Sequence, residues 1–268
     1  MRLLWLILLL LGGLLAASRL SRPVAPAPAG EGRPLDGAPQ PAVIPMSRPV
    51  AVSVASPPVS GSRTPVIERL ARAESRRRIE WAGKAIYLDS AFATPDSVLR
   101  RWNEHPEVRV AVLAALDNPA LEAEARAALG EWRLVNLGFT LTEVADTNVA
   151  DIVVHWIERF DIETAPVAGD GAGRTGLTEV QSNSQGEVGH ATVTLAMTDP
   201  RGRRLAPLEV RAVAMHELGH ALGLPHSADP RDIMYPTVRR ATLSDRDRAT
   251  ATLLYALPPG PLREPTTP

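Results

Sequence analysis

Hydrophobic and polar positions change their spacing several times along the chain, and each change predicts a different element. Residues 107–113 set Val108, Val110 and Val112 between charged or small side chains, which is the period-2 pattern of a half-buried strand. Further strands are predicted at residues 139–144, 151–157, 174–181 and 189–197. The last two are joined through residues 183–186, whose Asn, Ser, Gln and Gly favour a turn.

Apolar residues at helical spacing predict three main helices and an additional helix before the first strand. Asn118 and Pro119 suit the N-cap and first positions of an Ala-rich helix that runs through Trp132. The other helices are predicted at residues 67–79, from Pro207 through Leu222, and from a Ser244/Asp247 capping box to Tyr255. Strands and helices alternating at these lengths imply a right-handed crossover and a largely parallel sheet.

The candidate chemistry lies in the run from His216 to His226, which has the pattern H-E-x-x-H-x-x-G-x-x-H. His216 and His220 are four residues apart, so they project from one helix face and can bind one Zn²⁺ at about 2.0–2.1 Å. Gly223 can adopt the left-handed conformation that ends the helix, and His226 then returns as a third ligand. Three protein ligands leave a fourth position for water, which Glu217 can reach as general base.

A second pattern supports the metal interpretation. A bare H-E-x-x-H also arises by chance, and an amphipathic core helix with three histidines is the alternative. We reject that alternative because an unliganded buried His-Glu-His cluster is costly to desolvate. The run D-I-M-Y-P at residues 232–236 places Met234 shortly after the third His, as the Met-turn does in the metzincin signature.

Within the metzincins the chain resembles the matrixins, which comprise matrix metalloproteinase catalytic domains and their bacterial relatives. Ser227 directly follows the third His, and Pro236 occupies the position where astacins and serralysins have a metal-binding Tyr. The other segments similar to matrixin elements are residues 138–144, 150–152 and 243–247. The resemblance covers roughly residues 96–258.

The resemblance implies an α+β, metzincin-like fold with a mixed, mostly parallel five-stranded twisted sheet. It also implies that the strand containing Gly176, Leu177 and Thr178 is an antiparallel edge strand above the metal. Peptide substrates of matrixins pair with this strand through its unpaired backbone groups.

The resemblance further assigns two residues to the S1′ pocket. Ala212 is four residues before the first zinc ligand, and Val238 is two residues after the Met-turn proline. Both side chains are small, so we expect an open apolar pocket and large apolar P1′ residues in substrates, unless Arg239 or Arg240 folds across its mouth.

One catalytic zinc is the expected cofactor, and further metals are less supported. Matrix metalloproteinases bind a structural zinc through His and Asp residues, but residues 158–173 contain no His and Thr178 stands where a second His would be expected. We therefore interpret His190 as an ordinary strand residue. Calcium stays open, because Asp151 and Asp170 can equally be solvated carboxylates.

The chain ends predict export. Arg2 and the apolar run of residues 3–15 within residues 1–21 indicate a signal peptide or an uncleaved signal anchor. The Pro- and Ala-rich residues 22–65 indicate a disordered linker, and residues 259–268 a frayed tail. Between them we predict an N-terminal helical extension at residues 66–95 and a catalytic domain at residues 96–258. The chain has no Cys, so disulfides and thiolate ligands are excluded.

Together these features predict an exported, secreted or periplasmic zinc endopeptidase that acts on extended polypeptides. With 268 residues and a net charge of −1, the chain suggests neither nucleic acid nor an anionic membrane as partner. Membrane contact is expected only through an uncleaved N-terminal segment, and we expect a monomer. Two alternatives remain, a zinc amidase acting on cell-wall peptides and a non-enzymatic peptide-binding module on the same scaffold.

Overall fold

A computed structural model describes residues 65–93, 97–103, 105–115, 118–160, 174–238 and 240–263. The predictions for residues 1–64, for Asp170 and for Arg239 lie outside these residues. The described α-helices are α1 Val66–Ala82, α2 Pro119–Arg133, α3 Pro207–Ala221 and α4 Asp245–Tyr255. The described strands are β1 Val98–Leu99, β2 Glu107–Val112, β3 Thr140–Glu143, β4 Ile152–Ile157, β5 Gly176–Ser182, β6 Val188–Ala196 and β7 Gly260–Pro261. Short 3₁₀ turns occupy Gly83–Ala85, Leu88–Ala93 and Thr147–Val149.

Five strands form the main sheet in the order β3-β2-β4-β6-β5. The pairs β2/β3, β2/β4 and β4/β6 are parallel, whereas β5 runs antiparallel to β6 at one edge. The predicted α+β class, with a mostly parallel five-stranded sheet and an antiparallel edge strand, is therefore confirmed.

Helix α3 is fixed against the sheet by apolar packing on two sides. It contacts β5 and β6 directly, and α2 packs along it. Trp132, near the end of α2, is fully buried, and its indole Nε1 donates a hydrogen bond to the Met215 carbonyl oxygen at 2.9 Å. Because Met215 immediately precedes the first histidine of the motif, this contact also positions that histidine.

The N-terminal extension is part of the same core. Ile79, Ile86, Tyr87 and Leu88 are buried in one hydrophobic cluster with the sheet and the main helices. The boundary expected at residue 96 stays a prediction, and these side chains of the N-terminal extension pack on the core of the domain that follows. Local patterning could not indicate this, because the partners of these side chains are distant in sequence.

Residues 260–262, at the start of the expected frayed tail, are paired with the domain, whereas residues 264–268 lie outside the described part of the chain. Gly260–Pro261 pairs antiparallel with Val98–Leu99, and the Leu262 amide donates to the Ser97 carbonyl oxygen at 2.8 Å. The Leu262 side chain is buried, so these residues close the N-terminal side of the domain.

Helix starts are only partly as predicted. Helix α2 begins at Pro119 as expected, but Asn118 makes no side-chain cap hydrogen bond. The capping box of Ser244 and Asp247 at α4 is confirmed. Within the described ranges, none of the helices combines the length and apolar character needed to cross a membrane.

Candidate metal centre and cleft

The chain turns back toward α3 directly after the helix ends. The Gly223 amide donates to the His220 carbonyl oxygen at 2.8 Å, and the Leu224 amide to that of Gly219 at 3.0 Å. Gly223 has φ +88°, and a Cβ on it would collide with the Arg100 carbonyl oxygen. Glycine is therefore required both by the left-handed backbone and by the close approach of Arg100.

Three imidazole rings converge at this turn. His220 Nε2 lies 3.1 Å from His216 Nε2 and 3.2 Å from His226 Nε2. A tetrahedral ion with metal–nitrogen bonds of about 2.0–2.1 Å separates its ligands by about 3.3–3.4 Å, so the three nitrogens fit one zinc ion. These histidines are the group of potential metal ligands found within the described part of the chain.

The rings are oriented by hydrogen bonds from their far nitrogens. His216 Nδ1 donates to the Ile233 carbonyl oxygen at 2.8 Å, and His220 Nδ1 to that of Leu224 at 2.9 Å. Both bonds leave the Nε2 lone pair directed at the shared point. Burial lowers the pKa of His216 to about 4 and that of His220 to about 3, which favours the neutral, metal-binding form.

Met234, the residue expected in a Met-turn, packs against Gly219 of α3, one residue before the second histidine. It is fully buried, and a Cβ on Gly219 would collide with its sulfur atom. The Ser227 amide donates to the Met234 carbonyl oxygen at 2.8 Å, which ties the residue after the third histidine to the turn.

A buried carboxylate that sequence reasoning treated only as a helix cap also supports this turn. Asp247 Oδ2 accepts from the Ile233 amide at 2.9 Å, and Oδ1 accepts from the Tyr87 hydroxyl at 2.8 Å. Ser90, also in the N-terminal extension, donates through its hydroxyl to the His226 carbonyl oxygen at 3.0 Å. Tyr87 and Ser90 were missed because no motif marks them and their partners are over 130 residues away.

The Glu217 side chain lies between its own helix, α3, and the edge strand β5. The Thr178 hydroxyl donates to Glu217 Oε2 at 2.6 Å, and its oxygen lies 2.9 Å from the Glu217 carbonyl oxygen. A Cβ on Gly176 would lie 2.5 Å from Glu217 Oε1 and 2.7 Å from Val213 Cγ1, so only glycine leaves room for the carboxylate. Burial raises the pKa of Glu217 to about 7, opposed by the Thr178 hydrogen bond and the charge of Arg174.

The three histidines and Glu217 line one cleft. The substrate residues expected from the resemblance all line it, namely Gly176, Leu177, Thr178, Ala212 and Val238. Leu88 and Ala91 of the N-terminal extension also line it, as does Arg240. For Gly176 and Thr178 the structure adds direct contacts with Glu217, which the sequence did not indicate.

The remaining candidate residues lie away from the cleft. Asp151 joins β4 to β2, because its carboxylate accepts from the Arg109 amide at 2.7 Å and from the Arg109 guanidinium at 2.9 and 3.0 Å. His190 lies within β6 as expected, and His155 Nε2 lies 2.7 Å from the Thr194 hydroxyl.

These features define a class of protein. An α+β domain with three converging neutral imidazoles, a buried carboxylate beside them and a long cleft along a sheet edge has the geometry of a mononuclear metallohydrolase. Comparisons with known proteins agree, because residues 102–256, more than half of the chain, match the matrixin family.

Individual relatives are matched over shorter segments. Matrilysin of Felis catus is 49% identical over 53 residues, which is 20% of this chain and 17% of that protein. Matrix metalloproteinase-25 of Mus musculus is 32% identical over 117 residues, covering 41% and 18%. Metalloendoproteinase 1-MMP of Arabidopsis thaliana is 27% identical over 117 residues, covering 44% and 32%. The chain thus spans under a third of the length of these relatives, but the family match is sufficient, and the chain belongs to the matrixins, a family of zinc-dependent peptidases.

Proposed function

We propose that this protein is a zinc-dependent endopeptidase. The observation that carries the proposal is the convergence of three imidazole nitrogens beside the buried Glu217, in a cleft bounded by an edge strand. His216, His220 and His226 would hold the ion. When bound, zinc supplies Lewis acidity and lowers the pKa of a coordinated water toward about 7.

Glu217 is proposed to move the proton. Its carboxylate would accept a proton from the attacking water and return it to the departing amine, acting first as base and then as acid. Burial raises the pKa of Glu217 above the usual value of a carboxyl group, which makes it easier for the carboxylate to take up the proton before passing it on. Thr178 and Gly176 hold the carboxylate in position between strand and helix.

The edge strand β5 is proposed to bind the substrate backbone. Within the described sheet, β5 pairs only with β6, so its other edge offers N–H and C=O groups to an extended peptide. Such pairing is independent of side chains and places the peptide across the cleft. A polypeptide substrate follows, and a monomer suffices for this arrangement.

The proposed S1′ pocket lies between α3 and the chain after the Met-turn. Ala212 is buried and Val238 half-buried along the cleft, so their small side chains leave space for a large apolar P1′ residue. Filling it with a Leu- or Phe-sized group contributes roughly 1.5–3 kcal/mol. The exposed Arg240 lines the same cleft.

Export is proposed from the sequence alone. The apolar run at residues 3–15 would direct the chain across a membrane, and residues 22–65 would then separate the catalytic domain from any retained anchor. Calcium binding is not part of the proposal.

Two alternatives use the same scaffold. A zinc amidase for cell-wall peptides would share the histidines and Glu217 and differ in what its cleft accepts. A peptide-binding module has no need for a carboxylate held beside a metal site, and the contacts of Thr178 and Gly176 with Glu217 favour an enzyme.

The decisive experiment is a cleavage-site profile from a peptide library, with and without a zinc chelator. We expect internal peptide bonds to be cleaved before large apolar residues, and chelation to abolish cleavage. Preference for Gly or Ala at P1′ would contradict the open pocket. Cleavage restricted to cell-wall peptides would favour the amidase.

A further inference from the structure

The charged side chains along the cleft are mostly arginines. Among the described residues, the cleft-lining arginines are Arg100, Arg174, Arg201, Arg203 and Arg240, and the cleft-lining carboxylates are Asp199, Glu209 and Glu217. This distribution differs from that of the whole chain, whose acidic and basic residues nearly cancel to a net charge of −1.

The described cleft carboxylates form no salt bridge with Arg174, Arg201 or Arg240. Arg203 alone pairs with both Asp199, at 3.0 Å, and Glu209, at 2.8 Å. Glu217 is only 7% exposed and is held by Thr178. The field that these groups leave in the cleft is therefore positive.

Two of the other arginines line the cleft close in sequence to residues of the proposed substrate site. Arg174 is two residues before Gly176, at the start of the edge strand, and is half-buried. Arg240 is two residues after Val238 and exposed. Within the described residues, Arg240 and Arg201 have no salt-bridge partner and Arg174 acts on Glu217 only through its charge, so the three guanidinium groups can bind a carboxylate of a ligand.

We propose that the cleft selects polypeptides with Asp or Glu close to the scissile bond. This inference rests on the proposed peptidase function and specifies its substrate class. Arginine suits the task because its planar guanidinium binds a carboxylate through two parallel hydrogen bonds and stays charged at any working pH. Apolar recognition at P1′ and acidic recognition at neighbouring positions then act together.

The size of the effect follows from the partial exposure of these groups. Two partly exposed ion pairs together correspond to about a fivefold to tenfold preference for an acidic over a neutral peptide at low ionic strength. Because the Debye length shortens as salt is added, the preference should shrink at high ionic strength.

The test uses three fluorogenic peptides that share a central Leu at P1′. One peptide carries Glu, one Gln and one Lys at the two positions before P1 and the two positions after P1′. For each enzyme, the ratio of kcat/KM for the Glu peptide to that for the Gln peptide is measured at low and high NaCl. The variants are Arg174→Gln, Arg240→Gln, both together, and Arg69→Gln on the exposed face of α1 as a control with the same change of charge.

We expect the wild-type ratio to be about fivefold to tenfold and to fall toward one in the double variant and in high salt, while Arg69→Gln leaves it unchanged. A wild-type ratio near one, or faster cleavage of the Lys peptide, would overturn the inference while leaving the peptidase proposal intact. An equal loss in Arg69→Gln would also overturn it, because a general charge effect would then suffice.

Binding gives a readout that does not need turnover. The same peptides, fluorescently labelled, are titrated into the Glu217→Gln variant and followed by anisotropy. Tighter binding of the Glu peptide that depends on Arg174 and Arg240 supports the inference even if none of the three is cleaved. If no peptide of the cleavage-site library is cleaved, the proposed peptidase function is contradicted. If the Glu, Gln and Lys peptides bind equally well, the acidic substrate class is contradicted.

Discussion

Replacing Thr178 by Val tests how the edge strand controls the proposed base. Valine keeps the branched shape of threonine but removes the hydroxyl that donates to Glu217 Oε2 at 2.6 Å. A hydrogen bond to a charged group contributes about 1.5–3 kcal/mol, which corresponds to about one to two pKa units. Because this bond favours the ionised carboxylate, its loss should raise the pKa of Glu217.

The expected change in rate follows from the ionised fraction. The rate depends on the ionised fraction of the Glu217 carboxylate, whose pKa is about 7 in the metal-free protein. At any pH well below the pKa, raising it by one to two units lowers the ionised fraction about tenfold to a hundredfold, so kcat/KM should fall by that factor on the acid limb of the pH profile. A bound cation lowers the pKa in both enzymes, and the difference between them is therefore the quantity to compare.

The assay is the pH dependence of kcat/KM with one fluorogenic peptide. The acid limb of Thr178→Val should move up by about one to two pH units and much of the activity should return at high pH, whereas Thr178→Ser should behave like wild type. Thr192→Val, on the opposite face of the sheet, is the matched control. An unshifted acid limb in Thr178→Val, or a Ser variant as impaired as the Val variant, would show that the Thr178 hydroxyl does not control the ionisation of Glu217.

Three further predictions concern packing, the buried support of the Met-turn and the metal-free state. Gly176→Ala places a methyl group 2.5 Å from Glu217 Oε1, so peptide hydrolysis should fall more than about tenfold while the zinc content is retained. Gly189 has open space around it, and the control variant Gly189→Ala should hydrolyse peptides at nearly the wild-type rate. Tyr87→Phe removes a hydrogen bond to the buried Asp247, and unfolding in urea should show a loss of about 1.5–3 kcal/mol; an unchanged midpoint would argue against this support. In chelator-treated protein, burial holds the pKa of His216 near 4 and that of His220 near 3, whereas the unfolded chain has the ordinary value of 6.5. As the pH falls below 6.5, the unfolded state therefore binds more protons than the folded state, and the free energy of unfolding should decrease toward pH 4. Glu217 acts in the opposite direction, but one carboxyl opposes two imidazoles, and a melting temperature that is equal at pH 7.5 and pH 5 would contradict the balance.

Local patterns in the sequence were sufficient for most elements. The strand expected at residues 107–113 is observed at Glu107–Val112, and the helix expected from Pro207 is α3. These succeed because alternation and helical spacing follow directly from which face is buried. Gly223 also behaves as expected, since its left-handed conformation is a local requirement.

The errors and omissions are contacts between residues distant in sequence. Two examples are the pairing of Val98–Leu99 with Gly260–Pro261 and the burial of Tyr87, which depend on how these segments pack on the core. The same holds for the candidate site, where the motif indicated the histidines and Glu217 but not the slot formed by Gly176 and Thr178. Such contacts are specified by tertiary packing, and no periodic pattern encodes them.

The central claim is that three histidines bind one zinc ion while Glu217 serves as the base without being a ligand. The most direct measurement compares zinc content and peptide hydrolysis in wild type, Glu217→Gln and His220→Ala. We predict one zinc per chain in wild type and in Glu217→Gln, with hydrolysis in Glu217→Gln reduced about a hundredfold or more, and loss of both in His220→Ala. Equal zinc loss in the two variants, or near-normal hydrolysis by Glu217→Gln, would contradict the account.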